Sequence, residues 1–533
     1  MQYSIEYNCK KTMLMVSIAK LFNKLLAIYK YNFPTELLRL FVPRIDFIKI
    51  DLFKEVILAL IKEPIHITKL QADFYQEYLT IYSLKSTNAS EIIYLLLKKY
   101  WLKILDPITT LDHKKKRKLI FYVNNWLNAL AKQKFLFINY ELTPATIKTM
   151  GENLLYGIKH CLNDLITNKG YFDIKTNNLI TFNIGKNLAT TKGKVIYQND
   201  LMELIQYFPA TLKVYKAPLL FIPPCINKYY ILDLSTNNSL VKWLVDQGFT
   251  VYMISWINPD PSFANTTFSD YVINGALQAI DIITKTSQAP KVHLAGYCMG
   301  GTILSCVLSY MQKTNDLRIL SATHFMSLLD FSNFKDLNED SLNILENFVN
   351  KTGYLDGQLL STAFNIVHAN ELIWPYFINH YLLNKPLTTF DALYWNCDPV
   401  NLPAAMYNFY LRTICYQNKL QQPNEITIHG VAIDLTKVTV PVFSVAGEQD
   451  HISHWQVVYK GAKLYSASCN QQFVLSTSGH IMGLINSTTN HACSYRTNNS
   501  LPDNSNVWLE NSTEHSGSWW PYWLHWLTNI CVC

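Results

Sequence analysis

The sequence predicts an α/β protein with a mostly parallel sheet, preceded by a mainly helical N-terminal domain. From Ala217 onward, short apolar runs typical of buried strands alternate with amphipathic stretches typical of helices. The first 210 residues instead show helical periodicity and few strand signals. We therefore predict a helical domain over residues 1–210 and an α/β domain over residues 211–533.

Six apolar runs are the predicted strands, and the segments between them are predicted helices. The strands are Leu219–Ile222, Phe249–Trp256, Lys291–Ala295, Ile319–Leu328, Val440–Val445 and Gln472–Leu475. The helical segments include Ser239–Gln247, Tyr271–Thr286 and Thr302–Gln312. Because strand and helix alternate, we expect a parallel sheet that is covered by helices.

One insertion interrupts this alternation, between Asp330 and about Thr436. The stretch is too long for a connection inside a compact sheet, and it is rich in Phe, Tyr and Trp. We predict that residues 331–436 form an inserted lid or cap subdomain. An ordinary subdomain with an aromatic core would have the same composition, so the sequence leaves lid behaviour open.

Composition excludes several classes of protein. The chain has 533 residues, 49% hydrophobic and 16% charged, which excludes a disordered or collagen-like protein. Its net charge of +7 is too dilute to indicate nucleic-acid binding, and the basic run at residues 114–118 is interpreted as a solvated helix start. The eleven cysteines show no repeated CxxC spacing, which favours reduced thiols in the cytoplasm and predicts no metal site.

No segment is predicted to be a signal peptide or a membrane span. The apolar stretch Met13–Leu26 is interrupted by Lys20 and Lys24, which suits an amphipathic helix. A second apolar stretch, Val292–Gln312, lacks acidic and basic residues but is broken by glycines in its middle. It is interpreted as a buried strand, a turn and a buried helix.

The turn in that second stretch has the pattern G-x-C-x-G, from Gly296 to Gly300, between a predicted strand and a predicted helix. This is the pattern of a nucleophile elbow with Cys298 in the position that serine usually occupies. The tight turn strains the nucleophile's backbone and needs neighbours without bulky side chains. The composition predicts roughly 0.01 chance matches, so we predict that Cys298 is a nucleophile.

A nucleophilic thiol needs an imidazole and a group that orients it. In α/β-hydrolases the acid and then the histidine follow the nucleophile along the chain, each at the end of a strand. Asp450 and His480 meet this requirement. Glu448 competes for the role of the acid. His451 and His454 compete for the imidazole, but they share a segment with the predicted acid.

Attack on a carbonyl or a thioester also requires an oxyanion hole. The elbow geometry supplies one backbone N–H, that of Met299, and the second is expected from the loop after the first sheet strand. That loop contains Pro223, Pro224, Cys225 and Ile226. The prolines stiffen the loop, so the backbone N–H of Cys225 or Ile226 is the candidate, and we select Ile226.

Five long segments closely resemble the class I, single-subunit polyhydroxyalkanoate synthases, which make poly(3-hydroxybutyrate). The resemblance extends from about residue 90 to about residue 530. The segments are Gly296–Gly301, Pro223–Leu234, Ser255–Asp260, Tyr394–Pro403 and Gly517–Trp523. They lie in both the predicted sheet and the insertion, so together they are more specific than the elbow alone. The first 70 residues match little, and their role stays open.

The resemblance implies an acyltransferase with an α/β-hydrolase fold. It implies polymerisation of (R)-3-hydroxyacyl-CoA, with 3-hydroxybutyryl-CoA as the expected substrate, and no cofactor. Cys298 would accept the acyl group and His480 would activate it. Asp450 would either orient His480 or help to activate the substrate's 3-hydroxyl. Trp395 and Asp330 lie in family motifs and are interpreted as structural or dimer-associated.

The resemblance also implies where the protein acts and with what. Its members are homodimers on cytoplasmic polyester granules, where granule-associated proteins are further partners. A thioesterase or intracellular polyester depolymerase would use the same three residues but release free acid. A non-catalytic granule-associated protein would be indicated by a broken triad, whereas Cys298, Asp450 and His480 are all present.

Overall fold

The structure is a computed structural model. The structure describes residues 73, 77, 99, 100, 103, 142–149, 151–167, 182–332, 339–361, 376–386, 390–489 and 492–530. The basic run at residues 114–118, the stretch Met13–Leu26 and the first 70 residues lie outside the described residues. The chain divides into two compact units, one of residues 1–178 with 361–389 and one of residues 179–360 with 390–533.

The second unit contains a ten-stranded sheet of order β1-β2-β4-β3-β5-β6-β11-β12-β13-β14. The six strands from β4 to β12 in this order are parallel, and the two strands at each edge are antiparallel. Its strands are β1 Gly193–Gln198, β2 Met202–Tyr207, β3 Leu219–Ile222, β4 Val251–Trp256, β5 Val292–Tyr297, β6 Ile319–Phe325, β11 Val442–Gly447, β12 Gln471–Ser476, β13 Ser494–Thr497 and β14 Thr513–Ser516. The predicted mostly parallel sheet is confirmed.

Alternate residues of the central strands enter two different hydrophobic clusters. On β3, Leu220 and Ile222 belong to one cluster, while Leu219 and Phe221 belong to the other. Successive side chains of a strand point to opposite faces, so both faces of the sheet are covered. This explains why these strands are continuous apolar runs rather than alternating ones.

Helices flank the strands of this unit. They are α3 Leu240–Asp246, α4 Phe268–Asp270, α5 Gln278–Ser287, α6 Met299–Lys313, α7 Glu339–Thr352, α8 Asp391–Asn396, α9 Ala404–Phe409, α10 Trp455–Ala462, α11 Ser505–Glu510 and α12 Trp520–Ile530. π-Helical segments are Tyr271–Leu277 and Tyr410–Tyr416, and 3-10 turns are Tyr229–Leu232, Thr236–Asn238, Pro261–Phe263, Lys419–Gln421 and Leu435–Lys437. None of the helices that the structure describes has the length and hydropathy for a bilayer crossing.

The first unit is described by its helices α1, Leu142–Lys148, and α2, Glu152–Thr167, and by the π-helix Phe377–Leu382. The Asn153 side chain donates to the carbonyl of Leu382 at 2.7 Å, and the Tyr381 hydroxyl donates to Asp164 at 2.7 Å. Part of the predicted insertion therefore packs with residues of the N-terminal region.

Two features differ from the sequence-based domain boundaries. Strands β1 and β2 precede residue 210, where we placed the end of the helical domain, yet they pair with the sheet. Within 331–436, residues 361–389 belong to the first unit, and the remainder belongs to the second. We call the described part of this insertion in the second unit, residues 331–332, 339–360 and 390–436, the cap segment. Its two small sheets are β7 Tyr354–Leu355 with β8 Leu402–Pro403, and β9 Ile426–Ile428 with β10 Val431–Ile433.

Candidate active site

Cys298 lies at the sharp turn between β5 and α6. Its φ of 51° is in the left-handed region, which non-glycine residues rarely adopt. Gly300 makes this turn possible because the start of α6 approaches the end of β3 closely. A Cβ at this position would lie 2.0 Å from the carbonyl oxygen of Ile222. The turn thus has the strained geometry of a nucleophile elbow.

Asp450 and His480 come together at the carboxyl ends of β11 and β12. Asp450 Oδ2 lies 2.6 Å from His480 Nδ1. The other carboxylate oxygen accepts the backbone N–H groups of Ile452 and Ser453, each at 2.8 Å. The two strands are parallel neighbours, so their ends open on the same edge of the sheet. Two backbone N–H groups therefore fix the Asp450 carboxylate, in addition to its contact with the imidazole.

The electrostatics of the site favour a protonated His480. Burial alone would lower its pKa, but the negative charges of Asp450 and Cys298, together with hydrogen bonds to both side chains, raise the pKa of His480 above its usual value. The Cys298 side chain is thus within reach of the imidazole. A thiolate beside an imidazolium is the activated form of a cysteine nucleophile.

The competing acids and imidazoles have different positions. Glu448, His451 and His454 are exposed on the loop before α10. His293 is buried inside β5, where its Nδ1 lies 2.7 Å from the hydroxyl of Ser321 and burial lowers its pKa to about 4. Of the candidates, the structure brings only Asp450 and His480 together with Cys298.

The two predicted oxyanion donors lie on neighbouring segments. Met299 is the first residue of α6, and the first N–H groups of a helix have no partner within the helix. Ile226 lies in the loop after β3, which pairs directly with the elbow strand β5. The Cys225 thiol lies 3.0 Å from the Met299 sulfur and interacts electrostatically with Cys298. The loop that carries Ile226 therefore adjoins the elbow.

The other thiols show no comparable activation. None of the eight cysteines whose state the described residues show forms a disulfide, and burial raises the pKa values of Cys306 and Cys415. Among the described residues, no group of three or more His, Cys, Asp or Glu side chains is arranged to hold a metal ion. Among the described thiols of this site, Cys298 is the one that lies beside an imidazole, that of His480.

Comparisons with known proteins identify the family. A family profile described as the N-terminus of poly-beta-hydroxybutyrate polymerase (PhaC) matches residues 83–244, and one described as the alpha/beta hydrolase fold matches residues 218–487. The chain is 39% identical over 439 residues to a poly(3-hydroxyalkanoate) polymerase of Methylorubrum extorquens, which is 81% of this chain and 72% of that protein.

The chain belongs to the poly(3-hydroxyalkanoate) polymerase family. A second relative, the poly(3-hydroxyalkanoate) polymerase subunit PhaC of Cupriavidus necator, is 36% identical over 451 residues, which is 81% of this chain and 74% of that protein. The resemblance in the sequence analysis is confirmed, as are the α/β-hydrolase fold and the assignment to the acyltransferases.

Two residues of this polymerase-family site were not found by sequence reasoning. Tyr410, in the π-helix of the cap segment, interacts electrostatically with Cys298, and its hydroxyl lies 3.5 Å from that of Thr302 on α6. Tyr297 has its ring centroid 5.2 Å from that of His480. Tyr297 could have been found, because it adjoins the nucleophile. Tyr410 could not, because its approach depends on how the cap segment packs.

Proposed function

We propose that this protein polymerises (R)-3-hydroxyacyl-CoA into a polyester with release of CoA, through a thioester on Cys298. The observation that carries this proposal is the thiol at a nucleophile elbow beside the His480–Asp450 pair. The names of its relatives support the polyester product. A thioester substrate suits a thiol nucleophile, because exchange between two thioesters keeps the acyl group activated.

The first step loads the acyl unit. The Cys298 thiolate attacks the thioester carbonyl, the C–S bond to CoA breaks, and the leaving sulfur takes a proton from the His480 imidazolium. In the next step a 3-hydroxyl oxygen attacks a thioester carbonyl, so that an ester C–O bond forms and a C–S bond breaks. His480 accepts the hydroxyl proton and returns it to the released sulfur.

Asp450 has two candidate roles in this scheme. The 2.6 Å contact between Asp450 and Nδ1 of His480 supports an orienting role, since it leaves Nε2 for the thiol and the substrate. We propose that orienting His480 is its first role. Met299 and Ile226 are the proposed donors to the oxyanion of each tetrahedral intermediate.

The experiment measures CoA release and product size with (R)-3-hydroxybutyryl-CoA, for the native chain and for Cys298→Ala. High-mass polyester, formed together with CoA and abolished by the substitution, is the expected result. CoA release with only free 3-hydroxybutyrate would indicate a thioesterase instead. No release from either protein would favour a non-catalytic granule-associated protein. Mass spectrometry of the Cys298 peptide would detect the acyl group.

The resemblance further supports a homodimer on cytoplasmic polyester granules. Sedimentation of the purified protein, with and without substrate, tests the oligomeric state. Co-sedimentation with the polymer formed in the same reaction tests retention on the polyester. A monomer throughout the reaction, or protein that stays in the supernatant, would contradict the respective part of this proposal.

A further inference from the structure

The second oxyanion donor lies in a loop rather than in a helix or strand. The first donor, on Met299, is fixed by the start of α6. Ile226 lies between the end of β3 and the 3-10 turn that begins at Tyr229, so no repetitive hydrogen bonding holds its backbone. The position of its N–H must therefore depend on what the loop contacts on each side.

On the side of the sheet, the loop is attached to the elbow and to β4. The Cys225 thiol donates to the Met299 sulfur at 3.0 Å, and both side chains are buried. The indole N–H of Trp256, at the end of β4, donates to the carbonyl of Pro223 at 3.0 Å. These contacts fix the first half of the loop.

On the other side, the hydrogen bonds described between the second half of the loop and other segments come from the cap segment. The indole N–H of Trp395 donates to the carbonyl of Lys228 at 2.6 Å, and the backbone N–H of Val400 donates to the carbonyl of Ile226 at 2.8 Å. The Tyr230 hydroxyl donates to Asp398 at 2.9 Å. Three hydrogen bonds thus join residues 226–230 to residues 395–400.

Burial makes these hydrogen bonds stronger restraints than surface contacts. Trp395 is 4% exposed and Tyr230 is 1% exposed. The other end of α8 is also anchored, because Asp391 accepts the side-chain N–H of Asn238 at 2.9 Å and the backbone N–H of Ser235 at 3.2 Å. A buried donor that loses its acceptor has no water to replace it, so this attachment resists displacement.

We propose that Trp395 and Tyr230 are positioning residues for acyl transfer, which hold the Ile226 N–H at the oxyanion through the hydrogen bonds between residues 226–230 and 395–400. This inference rests on the proposed function. It gives the cap segment a part in catalysis: a cap segment that moves away takes the second half of the loop with it. The oxyanion hole is then complete only while the cap segment is seated.

The test compares two reactions of the same thiol. Acylation of Cys298 by 3-hydroxybutyryl-CoA passes through a tetrahedral oxyanion, whereas alkylation by iodoacetamide does not. The variants are Trp395→Phe and Tyr230→Phe, which each remove one donor and keep a ring. Matched controls are Trp520→Phe, which loses a 3.1 Å hydrogen bond to the carbonyl of Leu484, and Tyr459→Phe, which loses a 2.6 Å bond to the carbonyl of Pro502.

Removing an oxyanion donor outright typically slows a reaction about 10²- to 10³-fold. For a displaced donor we expect single-turnover acylation to fall about 10- to 100-fold in Trp395→Phe and less in Tyr230→Phe. Substrate affinity and the alkylation rate should change by less than about 2-fold, and the controls should acylate like the native chain. If Trp395→Phe does not fold, Tyr230→Phe carries the test.

Two results would overturn the inference. If acylation and alkylation fall together, the substitutions disturb the thiol itself; if neither falls relative to the controls, the hydrogen bonds do not position the donor. A native chain that is alkylated at Cys298 but never acylated would instead overturn the proposed function, and this inference with it.

Discussion

The carboxylate of Asp450 lies 2.6 Å from Nδ1 of His480, and its side chain has no exposed surface. The negative charge is therefore little screened by water, and it is one cause of the raised pKa of His480. In the proposed mechanism, the imidazolium form that this charge stabilises donates the proton to the departing CoA sulfur.

Asp450→Asn should lower the pKa of His480, because it removes that charge and leaves the burial that disfavours the imidazolium. We expect CoA release to fall about 10²- to 10⁴-fold. NMR of the imidazole ring protons as a function of pH measures the first effect. Glu448→Gln, on the exposed side of the same loop, is the control and should retain normal activity. An unchanged His480 pKa in Asp450→Asn would contradict the electrostatic account.

Gly300→Ala should prevent the elbow from forming. Its Cβ would lie 2.0 Å from the carbonyl oxygen of Ile222 and 2.7 Å from that of Pro223, and backbone atoms cannot turn aside as a side chain can. We expect a loss of roughly 3 kcal/mol or more in the free energy of unfolding, measured by urea denaturation. Gly430→Ala, whose Cβ has no atom within 4 Å but whose φ is +80°, should lose only about 1–2 kcal/mol.

Tyr297→Phe should retain activity and stability. The Tyr297 hydroxyl is buried and lacks a hydrogen-bond partner among the described residues, so its removal costs no hydrogen bond. We expect the free energy of unfolding to stay the same or to rise by about 1 kcal/mol. Tyr459→Phe, which loses its bond to Pro502, should instead lower it by about 1 kcal/mol. A large loss in Tyr297→Phe would indicate that this hydroxyl has a role in the site.

The free energy of unfolding should depend on pH because two buried histidines, His293 and His324, stay neutral in the folded chain. Burial lowers the pKa of His293 to about 4 and that of His324 to about 3. Below pH 6.5 the unfolded chain binds a proton at each of these two histidines, whereas the folded chain does not. Their contribution to the free energy of unfolding is therefore fully present above pH 6.5 and is lost as the pH falls. Each adds a slope of up to about 1.4 kcal/mol per pH unit between pH 6.5 and its folded pKa.

His293→Gln isolates one of these contributions. The slope of the unfolding free energy against pH is measured between pH 6 and about 4.5. Relative to the native chain it should decrease by close to the value for one proton, about 1.4 kcal/mol per pH unit. An unchanged slope would mean that His293 is protonated in the folded state. The raised pKa of His480 acts in the opposite direction, because its contribution is lost as the pH rises through the folded pKa.

The central strands and the elbow were predictable because their signals are local. The apolar run Val292–Tyr297, followed by a glycine-rich turn, is compatible with only a few local structures. Each parallel strand of the sheet overlaps one of the strands predicted from the sequence. The edge strands β1 and β2 were missed, because they are only partly buried and their mixed composition carries no clear period. The short strands β13 and β14 were missed for the same reason.

Contacts between distant segments could not be predicted. The indole of Trp395 meets the carbonyl of Lys228 across 167 residues of chain, and no local pattern records such a pairing. The π-helical segment that begins at Tyr410 has the sequence of an ordinary helix, so its altered hydrogen bonding is set by packing. Residue types predicted the candidate triad, whereas the supports around it required the structure.

The segment that comprises Trp519 and the helix α12 has a consequence for the synthesis of the enzyme. The rings of Trp519 and Trp523 pack against Phe325 on β6, with centroids 5.3 and 5.2 Å from its ring, and the Phe325 carbonyl accepts the backbone N–H of Cys298 at 2.9 Å. A nascent chain that has emerged from the ribosome only as far as Cys298 lacks this support, which is encoded more than 200 residues later. The strained turn should therefore become stable only after the segment that contains Trp519 and Trp523 has been synthesised, which would delay activity until then.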